Sequence, residues 1–299
     1  SDILIDFYTI NYTYMYRLIF LFISFLLFST KSSAQYYEFG IGLGSTLYYG
    51  DLNASDLSTN LGNSEFGGQL ILRYIAKKNM VIRANLTLGK LSGDDRKSEL
   101  ELQKIRNLRF TSLVVEGALL GEYYIFGYDA KASSQLFSPY FTVGFGFFYF
   151  NPKSDLNGET YDLQPLGTEG QGLPGQESKY SKMALAIPFG GGVKIKINDK
   201  YNFGIELLAR RSFTDYIDDV STVYANTEDL FANYGAISAA FADRRGEALG
   251  VPQLNTPGSK RGGSSVDDYY FSFMFNLTAN LESIFGLGQG SRGIDCPRF

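Results

Sequence analysis

Between Tyr36 and Leu52 the chain reads YYEFGIGLGSTLYYGDL, and its two alternating faces have different chemistry. The odd positions carry Tyr37, Phe39, Ile41, Leu43, Ser45, Leu47 and Tyr49, and the even ones Glu38, Gly40, Gly42, Gly44, Thr46, Tyr48 and Gly50. A period of two belongs to a β-strand, whose successive side chains point to opposite sides. A half-buried strand of a water-soluble protein sets solvated polar side chains against its apolar stripe. Here the second face is mostly glycine. Such a strand suits a wall with a greasy exterior and an interior too narrow for many large side chains.

The pattern recurs seven times. FGGQLILRYI sets Phe66, Leu70, Leu72 and Tyr74 against Gln69 and Arg73, and MVIRANLTLG sets Met80, Ile82, Leu86 and Leu88 against Arg83, Asn85 and Thr87. Leu113, Val115, Leu119 and Tyr123 oppose Ser112, Glu116 and Glu122, although Val114 and Leu120 blur that alternation. Phe141, Val143, Phe145, Phe147 and Tyr149 oppose Tyr140, Thr142, Gly144 and Gly146. Leu185, Ile187, Phe189, Val193 and Ile195 oppose Gly190, Gly192, Lys194 and Lys196. Phe203, Ile205 and Leu207 face away from Asn202, Gly204, Glu206 and Arg210. Tyr269, Phe271, Phe273, Phe275 and Leu277 oppose Ser272, Asn276, Thr278 and Asn280.

Eight strands of about ten residues each have the length that a tilted strand needs to cross a bilayer. Their spacers differ in size. AKKN (76–79) and NDK (198–200) are tight turns and GYDAKASSQLF (127–137) is of medium length. The segments near 50–65, 90–106, 151–181 and 214–267 are long and rich in Gly, Asp, Ser and Asn. The expectation is an all-β fold: an eight-stranded antiparallel transmembrane β-barrel over residues 35–281, in contact with outer-membrane lipid. Long loops would be extracellular, short turns periplasmic, and both termini periplasmic. Tyr37, Tyr49, Tyr74, Tyr123, Tyr149 and Tyr269 would form the interfacial girdles. The competing architecture, a secreted barrel of lipocalin type, would reverse the two faces.

Residues 15–34 read as a signal peptide. Met15 and Arg17 precede the apolar run LIFLFISFLLF (18–28), and STKSSA follows with small residues before Gln35. The run falls short of the ~20 residues that a membrane-spanning helix needs. Residues 1–14 are then expected to be an upstream extension, and residues 282–299 a periplasmic C-terminal tail.

Composition removes several activities. Histidine is absent, and with it the commonest general base and metal ligand. One cysteine, Cys296, allows no internal disulfide and no CxxC metal site. A net charge of −4 without a basic run gives no sign of nucleic-acid binding. No cofactor is implied. By strand parity Glu38, Glu116, Glu122, Glu206, Arg73, Arg83, Lys194 and Arg210 point inward. They would form either a self-neutralising lumen network or a catalytic or conducting lumen, and buried charges favour the paired arrangement. Carboxylate-only hydrolysis stays open. Asp215, Asp218 and Asp219 in FTDYIDDVS could offer oxygen ligands to Ca²⁺, although their spacing matches no EF-hand and a solvated acidic turn is the plainer reading. PFGGG (188–192) lies within a strand pattern and reads as lumen packing.

The first strand YYEFGIGLG…YYGDL, FTDYIDDVS after the seventh strand, the final FMFNLTANL and the terminal CPRF together resemble a Bacteroidota outer-membrane barrel family. That family includes the barrel subunit, PorG, of the type IX secretion and gliding machinery. The resemblance spans residues 35–299, with TDYIDDVS its most specific piece. It implies a non-enzymatic barrel that anchors a periplasmic ring, built of a lipoprotein and its partner subunit, to the outer membrane. It also tilts the reading of Cys296 toward a disulfide with the ring lipoprotein, with Pro297 and Phe299 beside it as partner-binding residues. A stand-alone barrel acting as an adhesin or a small-solute pore is the alternative.

Overall fold

The computed structural model describes residues 36–53, 57–128 and 136–285. The signal peptide, the upstream extension, and Cys296, Pro297 and Phe299 lie outside the described residues.

The chain forms β1 (Tyr36–Tyr49), β2 (Glu65–Lys77), β3 (Met80–Asp94), β4 (Arg109–Tyr124), β5 (Phe137–Leu156), β6 (Glu159–Asp162), β7 (Met183–Lys196), β8 (Tyr201–Ser212) and β9 (Tyr269–Asn280). Short β6 only extends a hairpin from the end of β5. The other eight run in the order β4-β3-β2-β1-β9-β8-β7-β5, every neighbour antiparallel, and β4 pairs with β5 to close the ring. Closure leaves no strand edge unpaired around the wall, which a hydrocarbon environment requires. The fold is a closed eight-stranded antiparallel β-barrel.

Side-chain parity follows the sequence. Along β1, Glu38, Gly40, Gly42, Thr46 and Tyr48 are buried, while Tyr37, Phe39, Ile41, Leu43 and Tyr49 are exposed. The outer wall continues with Leu70, Leu86, Leu119, Phe141, Phe145, Leu207 and Phe275, all exposed. An apolar surface on this scale far exceeds what a water-soluble monomer displays. The charged side chains are inside and the apolar ones outside, so the lipocalin arrangement is excluded.

Two tight turns hold one end. Asn79 donates its side-chain amide to the Tyr124 carbonyl at 2.7 Å, and Asn198 Oδ1 accepts the backbone N–H groups of Lys200 and Tyr201 at 2.9 Å. Asn198 thus serves as a local surrogate turn partner, whereas Asn79 ties its turn to the end of β4. The 76–79 turn is tighter than expected, because Ala76 and Lys77 belong to β2 and a bulge lies between Ile75 and Lys77.

At the opposite end the strands run further than the sequence pattern suggested. β3 reaches Asp94 and β5 reaches Leu156, so part of two segments expected to be loop is sheet. The loops beyond them carry short helices: α1 (Leu57–Gly62), α2 (Glu101–Arg106), α3 (Thr227–Tyr234), α4 (Ala236–Ala242) and α5 (Arg245–Leu249). A last helix, α6 (Leu281–Phe285), follows β9. None is long enough to be stable alone. At the loop end one apolar cluster packs Leu52, Leu108, Leu163, Ile217, Val220 and the α4 residue Phe241 on Tyr48, Phe110, Phe148, Phe150 and Tyr270 of the strands, and a second joins Leu230 of α3 to Ala239 and Ala242 of α4.

Candidate functional site

The interior is the part of the molecule that most constrains function. Toward the turn end Tyr36, Ile75, Val81, Tyr124, Tyr128 and Tyr140 form an apolar and aromatic layer. Above it the eight inward charges are all buried. Lys194 Nζ lies 2.5 Å from Glu38 Oε2 and 3.8 Å from the centre of the Tyr128 ring, whose hydroxyl donates to Glu38 Oε1 at 2.8 Å. Arg73 Nε donates to both oxygens of Glu122 at 2.9 and 3.0 Å. Arg83 bridges Glu122, at 2.9 Å, and Glu206. Tyr140 and Gln69 complete the shell of Glu206 at 2.7 and 3.2 Å. Nearer the loop end Arg210 donates Nε to Glu116 at 3.0 Å, and Tyr270 donates its hydroxyl to the same carboxylate.

Four carboxylates therefore meet four cations, and every one of the eight sits in an ion pair. In a low-dielectric interior this mutual compensation is what lets the charges remain buried. Little room is left between them. A Cβ added at Gly42 would lie 2.1 Å from Asn276 Oδ1 and 2.8 Å from Gln69 Cγ, and one at Gly192 would lie 2.6 Å from the Ile205 carbonyl oxygen. Glycine is required on the inner face because neighbouring side chains and backbone already fill that space. The interior is not uniformly small and polar, however. Ile71, Leu120, Val114, Phe148 and Phe150 also point in and are buried, so the residues that blurred the alternation of β4 are lumen packing. The hydroxyls of Tyr128, Tyr140 and Tyr270 were the missed partners of the network. Inward parity was the available signal for Tyr140 and Tyr270, whereas Tyr128 lies outside the strands, where parity says nothing.

The loop end is closed by a cap built on FTDYIDDVS. The Tyr48 hydroxyl lies 2.7 Å from both Asp218 Oδ2 and Asp268 Oδ1. It has one proton to donate, so the second contact is a hydrogen bond only when one carboxyl keeps its own proton and donates back. Burial first, and repulsion from Asp268 second, push the Asp218 carboxyl well above the usual carboxylate range. Asp219 accepts from Thr168, at 2.5 Å, and Tyr180, at 2.7 Å, and burial pushes it up to about 6 against the opposing pull of Arg261. Arg261 itself donates to Glu169 at 2.9 Å and to the Asp219 carbonyl at 2.7 Å. Glu169 in turn accepts the backbone N–H groups of Ser221 and Thr222.

Of the three candidate calcium ligands, Asp218 and Asp219 are buried in the cap on different hydroxyl partners, and Asp215 is half-buried. Among the described residues no group of three or more His, Cys, Asp or Glu side chains is arranged to hold a metal ion. The segment carries Asp218 and Asp219 inward because the apolar residues on either side of the pair, Ile217 and Val220, join the cap core.

The model of a family described as "Domain of unknown function (DUF6089)" matches residues 17–238, and the chain belongs to that family. No curated protein matches it. Among solved structures it is similar to Ail, the attachment invasion locus protein of Yersinia pestis, in complex with the heparin analogue sucrose octasulfate. The sequence identity is 8% and the TM-score 0.38, over 82% of this chain and 97% of that one. It is also similar to Neisserial surface protein A, at 7% identity and TM-score 0.38 over 81% and 96% of the two chains. The outer membrane protein OprG from Pseudomonas aeruginosa is similar at 10% identity and TM-score 0.38 over 82% and 96%.

Proposed function

We propose that this member of the DUF6089 family is a non-conducting, non-enzymatic anchor in the outer membrane, with its turns and termini in the periplasm. The sealed lumen carries that reading: all eight inward charges are consumed in ion pairs, and apolar layers lie toward both ends. A conducting barrel needs a continuous wetted path, and eight strands leave space for side chains and little else. A hydrolytic lumen needs a carboxylate open to substrate, and Glu38, Glu116, Glu122 and Glu206 are each held by a cation.

The finer assignment is to the type IX secretion and gliding apparatus, as the barrel subunit that holds a periplasmic lipoprotein ring and its partner subunit. It rests on the resemblance carried by TDYIDDVS, FMFNLTANL and CPRF. The buried position of Asp218 and Asp219 gives the first of these motifs a structural reason, since the motif builds the cap. Two measurements test the proposal. Planar-bilayer recordings should show no stable conductance steps, and reproducible openings would favour a pore. Pulldown of detergent-extracted protein from its native cells should recover a periplasmic lipoprotein, whereas recovery of the barrel alone would remove the secretion role.

A further inference from the structure

On the outer face of β3, β4 and β5 the apolar belt gives way to cations at the loop end. Leu88, Leu113 and Tyr149 are its last large apolar side chains there. The outward positions beyond them include Lys90, Thr111, Arg109 and Lys153, with Thr111 opposite Lys153 in the register. At ~3.3 Å per residue Thr111 lies ~7 Å and Arg109 ~13 Å further along the strand than Leu113, the depth of a headgroup layer. A pocket of about 220 Å³ opens at this level, and its lining includes the cations Arg96, Lys97, Arg109 and Lys153 and the acidic residues Glu65, Asp94 and Asp155.

The cations in it are unevenly neutralised. Arg96 is clamped to Asp94, at 2.8 Å through Nε, and Lys153 pairs with Asp162 at 3.0 Å. Lys97 donates only to the Asn63 amide oxygen, at 2.8 Å. Arg109 donates to the Asp155 carbonyl at 3.0 Å, and the Arg244 guanidinium donates to that same oxygen at 3.1 Å. Two cations thus converge on one neutral acceptor, and of the two Arg244 is also paired with Glu247 at 2.7 Å, which leaves Arg109 as the one without a carboxylate partner. Among the described residues neither Arg109 nor Lys97 forms an ion pair. An anion with several acceptor oxygens would relieve this crowding and match the guanidinium fork.

We propose that this pocket binds a phosphate monoester, presented by the headgroup of a phosphorylated glycolipid in the surrounding leaflet. Arg109 and Lys153 hold the phosphate, Lys97 adds charge, and the apolar belt below takes the acyl chains. The inference rests on the reading that the loop end meets the glycolipid leaflet. Protease shaving of the 213–268 loop on whole cells tests that orientation separately.

Binding is measured on refolded barrel in detergent micelles, where orientation plays no part. The probes are bisphosphorylated lipid A, its dephosphorylated form and inorganic phosphate. Wild type should bind the bisphosphorylated lipid at least tenfold more tightly than the dephosphorylated one. The double variant Arg109→Gln/Lys153→Gln should lose that preference while keeping its heat-modifiable migration in gels. Arg211→Gln, on the outer face of β8 and outside the pocket, should bind as wild type does. Equal binding of both lipids overturns the proposal, as does an equal loss in Arg211→Gln. Equally tight binding of inorganic phosphate keeps the anion site but overturns the glycolipid as its source.

Discussion

Arg83 on β3 and Glu206 on β8 meet inside the barrel although 123 residues separate them, with Nη2 donating to Oε1 at 3.2 Å alongside a shorter Nη1 contact. The pair crosses the lumen and ties together two strands that are not neighbours in the wall. Removing one partner leaves a buried charge, which typically costs about 3–5 kcal/mol, whereas removing both leaves none. Arg83→Met should therefore lower stability by about that amount. Arg83→Met/Glu206→Gln should recover a large part of it. Urea unfolding in micelles, with Glu206→Gln as the second single variant, checks this, and a double-variant loss equal to the sum of the two single losses would show that the pair is not coupled.

The outer wall makes the opposite demand. Phe145 is 77% exposed in the middle of β5, flanked by Val143 and Phe147 on the same face. Arginine placed there must sit in hydrocarbon, at a cost of ~2–4 kcal/mol near the bilayer midplane. Phe145→Arg should fold poorly into liposomes while Phe145→Leu folds normally. Tryptic protection assays read the difference.

The cap carries a pH dependence whose sign follows from Asp219. Burial raises its folded pKa to about 6, above an ordinary aspartate near 3.8. The folded state therefore keeps a proton that the unfolded chain has released. Stability is full below the unfolded pKa, falls as pH rises toward 6, and stays lower above it. Asp219 has φ +68°, a conformation that asparagine tolerates well. Asp219→Asn should flatten the fall between pH 4 and pH 7 and raise the relative melting temperature at pH 8. An unchanged slope would assign the effect to other groups.

How much of this was legible depended on backbone regularity. Within strands, parity alone put Glu38, Arg83, Glu122 and Arg210 inside, because every second side chain must face the lumen. It also put Tyr48 and Tyr140 inside, without revealing that the Tyr140 hydroxyl joins the ion network and the Tyr48 hydroxyl meets the cap carboxylates. Strand ends were harder to read. In NPKSDL, residues 151–156, Asn, Pro, Ser and Asp look like loop, yet β6 pairs across Lys153–Leu156 and keeps the segment extended. The cap was illegible because irregular backbone has no period. Nothing in the sequence joins Asp219 to Arg261, or Asp95 to Arg106, whose Nε donates to the Asp95 carboxylate at 2.7 Å.

Glycine on the inner face gives a test of lumen filling. At Gly192 a Cβ would lie 2.6 Å from a backbone oxygen on β8 and 2.7 Å from the Tyr140 hydroxyl. The backbone atom belongs to the paired ladder and cannot move without breaking the Gly192–Glu206 register. Overpacking of this kind costs ~1–3 kcal/mol, and more as the side chain grows. Gly192→Ala should lower stability measurably, and Gly192→Leu should abolish the fast-migrating folded band on unboiled gels. Gly117, where an added Cβ meets nothing within 4 Å and the face is outward, should accept leucine. If Gly192→Leu folds as readily as Gly117→Leu, the lumen has spare volume at its centre. The non-conducting reading would then lose its main physical support.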